Sequence, residues 1–232
     1  MTKTQHPYVT TRYSQRHPHW VNTALGTSAA TIGNYGCLIS ALASGLADLE
    51  ITLYGREPDP GSLNRWLARN NGFTQGNLLV FGAVVKLGVE MAHYVDCSQR
   101  PAPLDVIADA LAQRAIVLAE VDFRPGGSRN QHWVRILPTK KNLTSAEQKA
   151  ALEKDCFVMD PWMPDRYSWR WLMSGYALPS WDGPERALFR VVVYQRQPVE
   201  GPLPPTPEGH YAFTGDVTTV QPELHRWVSF EA

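Results

Sequence analysis

The chain has 232 residues, 44% of them hydrophobic and 19% charged, which suits one domain of ordinary size with a sizeable core. Lysine plus arginine equals aspartate plus glutamate at 22 each, so no net charge draws it to nucleic acid or to an anionic membrane, and neither is expected as a partner. No apolar run approaches the roughly 18 residues needed to cross a bilayer, and Met1–His19 is polar, without the apolar core of an export signal. The expected location is therefore the cytoplasm, or delivery as part of a larger assembly.

Taken in chain order, residues 8–22 hold Pro18 and two histidines and read as an extended entry segment and loop. Thr31-Ile32-Gly33-Asn34-Tyr35-Gly36 is a glycine-containing loop that runs into a helix over about 37–49. Leu38, Leu42, Leu46 and Leu49 give that helix one apolar stripe. Glu57-Pro58-Asp59-Pro60-Gly61 has the composition of a turn. Ser62 is the expected cap of a short helix with Leu63, Trp66 and Leu67 on one face, ended by Asn70-Asn71-Gly72. A further helix is expected over 76–87 and another over 103–114, the latter with Leu104, Ile107, Ala108 and Leu111 inward and Pro103 near its start.

Beyond this point the pattern changes to strands at 116–121, 132–137, 156–160 and 188–194, with 91–95 as a candidate edge. Thr144-Ser145-Ala146-Glu147 is a capping-box pattern that opens a short helix between the second and third of these. Helices first and meandering strands after them predict an α+β domain, N-terminal helices packed on a C-terminal antiparallel sheet, over 1–196. From Gln197 the prolines at 198, 202, 204, 205 and 207 mark a stiff linker, followed by an arm that could dock on a protein partner.

The three cysteines, Cys37, Cys97 and Cys156, lie far apart and form no metal-binding or redox pair. Cys37 stands at a helix start, where free backbone N–H groups and the helix dipole favour a thiolate. Gly33 and Gly36 let the backbone turn there and leave room for a substrate. A small buried core cysteine is the alternative at this position. Cys97 and Cys156 read as packing residues. Trp133, Trp162, Trp169 and Trp171 read as core or cleft wall, and the remaining histidines as surface or structural groups.

A nucleophilic thiol needs a base, and the base needs an orienting partner. His132 starts one predicted strand and Asp160 ends the next. In an antiparallel meander those two ends are neighbours, so the carboxylate can fix the imidazole. Gln15 adds a side-chain amide that, with the Cys37 backbone N–H, makes an oxyanion hole. A strand-edge histidine, a turn-starting Asp-Pro and an exposed loop glutamine are the alternatives for these three.

The order Tyr13-Ser14-Gln15, Thr31-Ile32-Gly33-Asn34-Tyr35-Gly36-Cys37, Asn130-Gln131-His132-Trp133-Val134 and Asp160-Pro161-Trp162 resembles the papain-like cysteine peptidases. It is most similar to the bacteriocin-processing peptidase domain and its stand-alone bacterial and phage relatives, over about residues 8–195. The resemblance implies a papain-like fold with Cys37 as nucleophile, His132 as general base and acid, Asp160 as orienter and Gln15 as oxyanion donor. It also implies an activity without metal or organic cofactor. The chain departs from that pattern at Met163-Pro164, where many relatives carry a glycine, and in a longer 139–155 connection, both expected near the cleft. The bacteriocin-processing relatives are fused to a transporter that this sequence does not contain. The expected substrate is thus a protein, a peptide or the stem peptide of peptidoglycan. Two other classes stay open: a structural or binding component of a phage particle or secretion assembly, and a transglutaminase-like acyltransferase.

Overall fold

A computed structural model describes residues 11–140, 142–165 and 168–197. The chain divides after Gln197. The linker and arm expected over 197–232 lie, Gln197 apart, outside the described residues. Gln197 itself is still tied to the body, its N–H donating to the Gly88 carbonyl at 3.1 Å.

The body is α+β. Its frame is a six-stranded antiparallel sheet in the order β3 (Val89–Asp96), β8 (Arg190–Arg196), β4 (Ile116–Asp122), β5 (Gln131–Leu137), β6 (Phe157–Met159) and β7 (Trp169–Trp171). Strands β4 to β7 form a meander, but β8 turns back to pair between β3 and β4 rather than continuing it. That return gives β4 a partner on each side, and all seven of its residues are buried. β7 is only three residues long, Trp-Arg-Trp, too short for its alternation to mark a strand in the sequence.

Alternation along the strands divides the core in two. Ile116, Leu118, Trp133, Leu137, Val192 and Tyr194 face one side, where they pack with α2 (Cys37–Asp48) and α3 (Pro60–Arg69). Val117, Val121, Val134, Ile136, Val158 and Val193 face the other, under α4 (Leu104–Ala112), α5 (Ser145–Leu152) and α6 (Leu172–Tyr176). Helices therefore cover both faces, with the N-terminal pair on one of them.

Helix α2 is not the one-stripe amphipathic helix its leucines suggest. Residues Ile39 to Ala47 are all buried, because the helix lies between the sheet and the segments around it. Its small residues make this possible: a Cβ on Gly45 would stand 2.5 Å from the Ile116 side chain, so the helix backbone rests directly on β4. Arg135 of β5 reaches across to donate to Ser44 Oγ at 2.9 Å and pairs with Asp48 at 2.7 Å. That buried pair fixes the rotation of α2 against the sheet.

Three further expectations change. The cap of α3 is Asp59, not Ser62. Ser62 is the third helical residue and completes a reciprocal capping box with Asp59, while Pro60 occupies the first turn. The helix expected over 76–87 is instead a hairpin, β1 (Phe73–Thr74) with β2 (Leu78–Leu79), followed by a 3-10 helix, Phe81–Leu87. The positive φ of Gln75 and Gly76 makes that turn and breaks the helical path. The 139–155 connection carries α5, opened by the Thr144–Glu147 capping box. It lies on the second face and contributes nothing to the cleft described below. No helix among the described residues is long and apolar enough to cross a membrane.

Candidate active site

Cys37 is the first residue of α2, directly after the short helix α1 (Ile32–Tyr35). Gly36 joins the two, donating its N–H to the Ile32 carbonyl at 2.7 Å. A Cβ on Gly36 would come within 2.5 Å of that same oxygen, so the junction admits glycine alone without a backbone shift. Gly33 is constrained in the same way by the Val21 backbone. The first N–H groups of α2, that of Cys37 among them, have no intrahelical acceptor, and no side chain caps them. The Cys37 side chain is half-buried, whereas Cys97 and Cys156 are buried and burial raises both of their thiol pKa values.

His132 enters from β5 and Asp160 follows β6. The Arg135↔Met159 pairing places their strand ends side by side, and His132 Nε2 meets Asp160 Oδ1 at 2.7 Å. Burial pushes the imidazole pKa down, but hydrogen bonds to Asp160 and Cys37 and the charges of both outweigh it. The result is a pKa raised from 6.5 to about 9. Because Asp160 occupies Nε2, the ring nitrogen left for Cys37 is Nδ1. The ring is held between Phe123 at 4.9 Å and Tyr176 at 5.9 Å, both tilted against it.

Asp160 is fully buried. Burial would raise its pKa, yet it is lowered, because the carboxylate is surrounded by donors. Besides His132 these are the Tyr176 hydroxyl at 2.5 Å, the Trp162 backbone N–H at 2.9 Å and Arg170 at 3.4 Å. Burial and the adjacent carboxylate raise the Tyr176 pKa, so it stays a donor. Arg170 lies over the Tyr176 ring at 4.9 Å and against Gly175, where a Cβ would stand 2.6 Å from its Nε. Neither Tyr176 nor Arg170 carries a sequence signal. One ends the short helix α6 and the other sits on the three-residue strand β7.

Gln15 is buried, not an exposed loop residue. Its backbone N–H donates to the Pro161 carbonyl at 2.7 Å, and its Nε2 donates to the Gly33 carbonyl at 2.9 Å. A flipped amide would set two oxygens against each other, so this orientation is fixed. One amide proton is used on Gly33 and the second is free to serve another acceptor. The neighbouring Ser14 N–H donates to Asp165 at 2.5 Å, and its carbonyl accepts from the Trp20 indole at 2.8 Å. The entry segment is thereby fastened to the turn after Asp160.

Gln15, Cys37 and His132 line one cleft of about 550 Å³. Leu25, Phe73, Leu78, Leu79 and Trp133 form apolar wall, and Phe123, Arg124, Asn130 and Trp162 stand elsewhere along it. Met163 does not reach it, and Trp171 is 45% exposed away from it, neither core nor cleft wall. Asp122 closes the loop that carries Phe123 and Arg124, accepting from the N–H groups of Arg124 at 3.0 Å and Asn130 at 3.1 Å. Among the described residues no group of three or more His, Cys, Asp or Glu side chains is placed to hold a metal ion.

Comparison with known proteins yields no match: no protein-family model, no curated protein and no solved structure aligns with this chain. The functional reading therefore stands on the geometry and on the ordered motifs alone.

Proposed function

We propose that the protein is a thiol hydrolase that cuts an amide bond of a peptide, a protein or a peptidoglycan stem peptide, and that its α+β body is a papain-like fold. The observation that carries this reading is that His132, held by Asp160 on Nε2 at 2.7 Å, lines the same open cleft as Cys37, whose thiol is near enough to help raise the imidazole pKa. A histidine with a merely structural role has no need of a thiol at a helix start.

In this reading Cys37 attacks the carbonyl carbon as a thiolate, its proton already carried by the charged His132 imidazole. The oxyanion receives the free Gln15 amide proton and the Cys37 backbone N–H. Asp160 holds the imidazolium in place. As the C–N bond breaks, His132 gives its proton to the departing nitrogen, leaving a thioester on Cys37. Water then loses a proton to His132 and attacks the thioester, and the acid departs with the thiol restored. Every bond and proton is handled by these four residues and water.

The test is cleavage of a randomised peptide library and of purified peptidoglycan, with Cys37→Ala as control. Cleavage is expected to vanish in Cys37→Ala, and iodoacetamide at neutral pH is expected to label Cys37 far faster than Cys97 and Cys156. Equal labelling of the three thiols with no Cys37-dependent cleavage overturns the reading. A primary amine added in place of water reports acyl transfer as a conjugate.

A further inference from the structure

His132 hands its proton to the departing nitrogen, so the leaving group lies against the imidazole. Of the two rings packed on the imidazole, Phe123 at 4.9 Å lines the cleft, and Trp162 packs edge-on against Phe123 at 5.3 Å. Trp162 lines the cleft as well. This aromatic pair is flanked by two guanidinium groups. Arg124 lies 5.9 Å from the centre of the Phe123 ring, and Arg16 lies 4.8 Å from that of Trp162. Both arginines are exposed. Neither guanidinium has a carboxylate partner among the described residues, whereas Arg129, Arg135, Arg170, Arg186 and Arg190 each have one.

The residues that line the cleft include no aspartate or glutamate, and Arg124 is their one arginine or lysine. Stacking on an aromatic ring holds a guanidinium plane while leaving its N–H edge for an anion. A carboxylate meets such an edge through two parallel hydrogen bonds. The far wall, with Phe73, Leu78, Leu79 and Trp133, offers no such partner.

We propose that the leaving-group half of the substrate carries a carboxylate within two residues of the scissile bond, received by Arg124, which lines the cleft beside Phe123, together with Arg16 beside Trp162. The proposal rests on the thiol-hydrolase reading and names the substrate class for it. The carboxylate has two possible sources, an acidic side chain or the free C-terminus of a short peptide, and the chemistry that receives them is the same.

The experiment uses a randomised synthetic octapeptide library made once with free C-termini and once with C-terminal amides, with cleavage sites read by mass spectrometry. If side chains are the source, Asp and Glu exceed Asn and Gln at the first two positions after the cut at least fivefold in both libraries. If the terminus is the source, cuts gather within two residues of the end of the free library and are lost from the amidated one. In Arg16→Gln/Arg124→Gln either preference is expected to fall below twofold. Each preference is a ratio within one sample and is independent of how much active protein is present. Cleavage without a carboxylate preference, or a preference that persists in the double variant, overturns the proposal and leaves the hydrolase standing. Absence of any Cys37-dependent cleavage overturns the hydrolase reading, and this proposal with it.

Discussion

At the scale of single residues, the site is governed by what Asp160 can hold. Its carboxylate takes hydrogen bonds from His132, Tyr176 and the Trp162 N–H while fully buried, so it remains charged and keeps His132 charged beside it. Replacing it by asparagine removes the carboxylate partner that helps raise the imidazole pKa. The His132 titration in Asp160→Asn is expected to fall from about 9 toward 6.5, read from the pH dependence of Cys37 alkylation or directly by NMR. An unchanged titration would mean that the thiol alone sets the imidazole. In the proposed reaction Gln15 acts at a different moment, since its free amide proton is needed only once charge appears on the carbonyl oxygen. Gln15→Ala is expected to lower kcat by about 10²- to 10³-fold with little change in KM. The rate of Cys37 alkylation, which forms no oxyanion, should stay within twofold. Of these residues Gln15, Cys37, His132 and Asp160 can be picked out in the sequence by side chains suited to the proposed steps, the last three also by places at or beside element ends, whereas Gln15 lies in a turn of the entry segment. Tyr176 and Arg170 are not, because a phenol and a guanidinium that only support a carboxylate have no required spacing from it.

Elements obey a different logic, in which glycines set the distances. The α1–α2 junction brings Cys37 to the cleft only because Gly36 can lie on the Ile32 carbonyl. A methyl group there must push backbone, not a side-chain tip. Gly36→Ala is expected to cost about 1–3 kcal/mol in urea unfolding and to slow Cys37 alkylation by moving the thiol from His132. Gly45 is as tightly packed further along the helix, but against the Ile116 side chain and far from the thiol. Gly45→Ala should therefore show a similar loss of stability, again about 1–3 kcal/mol, with alkylation of the folded protein preserved. Equal effects of both changes on alkylation would refute the separation. Strands β4, β5 and the edge strand β3 are legible because apolar and β-branched residues recur along them, in an unbroken run only at the start of β4. The β1–β2 hairpin was hidden because Leu78, Leu79, Ala83, Val84 and Leu87 also fit a helical period. Only the left-handed turn at Gln75-Gly76 decides against it. The return of β8 into the sheet was hidden for a further reason: pairing partners are set by competition among strands, which no local pattern records.

For the molecule as a whole, the charged pair at the cleft ties stability to pH in both directions. His132 binds its proton more tightly in the folded protein, so its contribution is complete below pH 6.5 and is lost as pH rises through about 9. Asp160 lies below its ordinary 3.8, so its contribution is complete above that value and is lost as pH falls through the lower, folded one. Urea midpoints are expected to be level between about pH 4 and 6.5 and to fall toward pH 9, with the alkaline fall absent from His132→Ala. A fall that survives in that variant would place its origin in another group.

The Pro161 carbonyl and the Asp165 carboxylate hold the backbone of Gln15 and Ser14 to the same turn that begins at Asp160. Two groups with separate duties in the proposed reaction thus share one anchorage. Loosening it, as Asp165→Ala would, disturbs both together, so Gln15→Ala added to that change should cost less than it does alone. A double-mutant cycle in which the two losses simply multiply would show that the amide and the carboxylate keep their places independently.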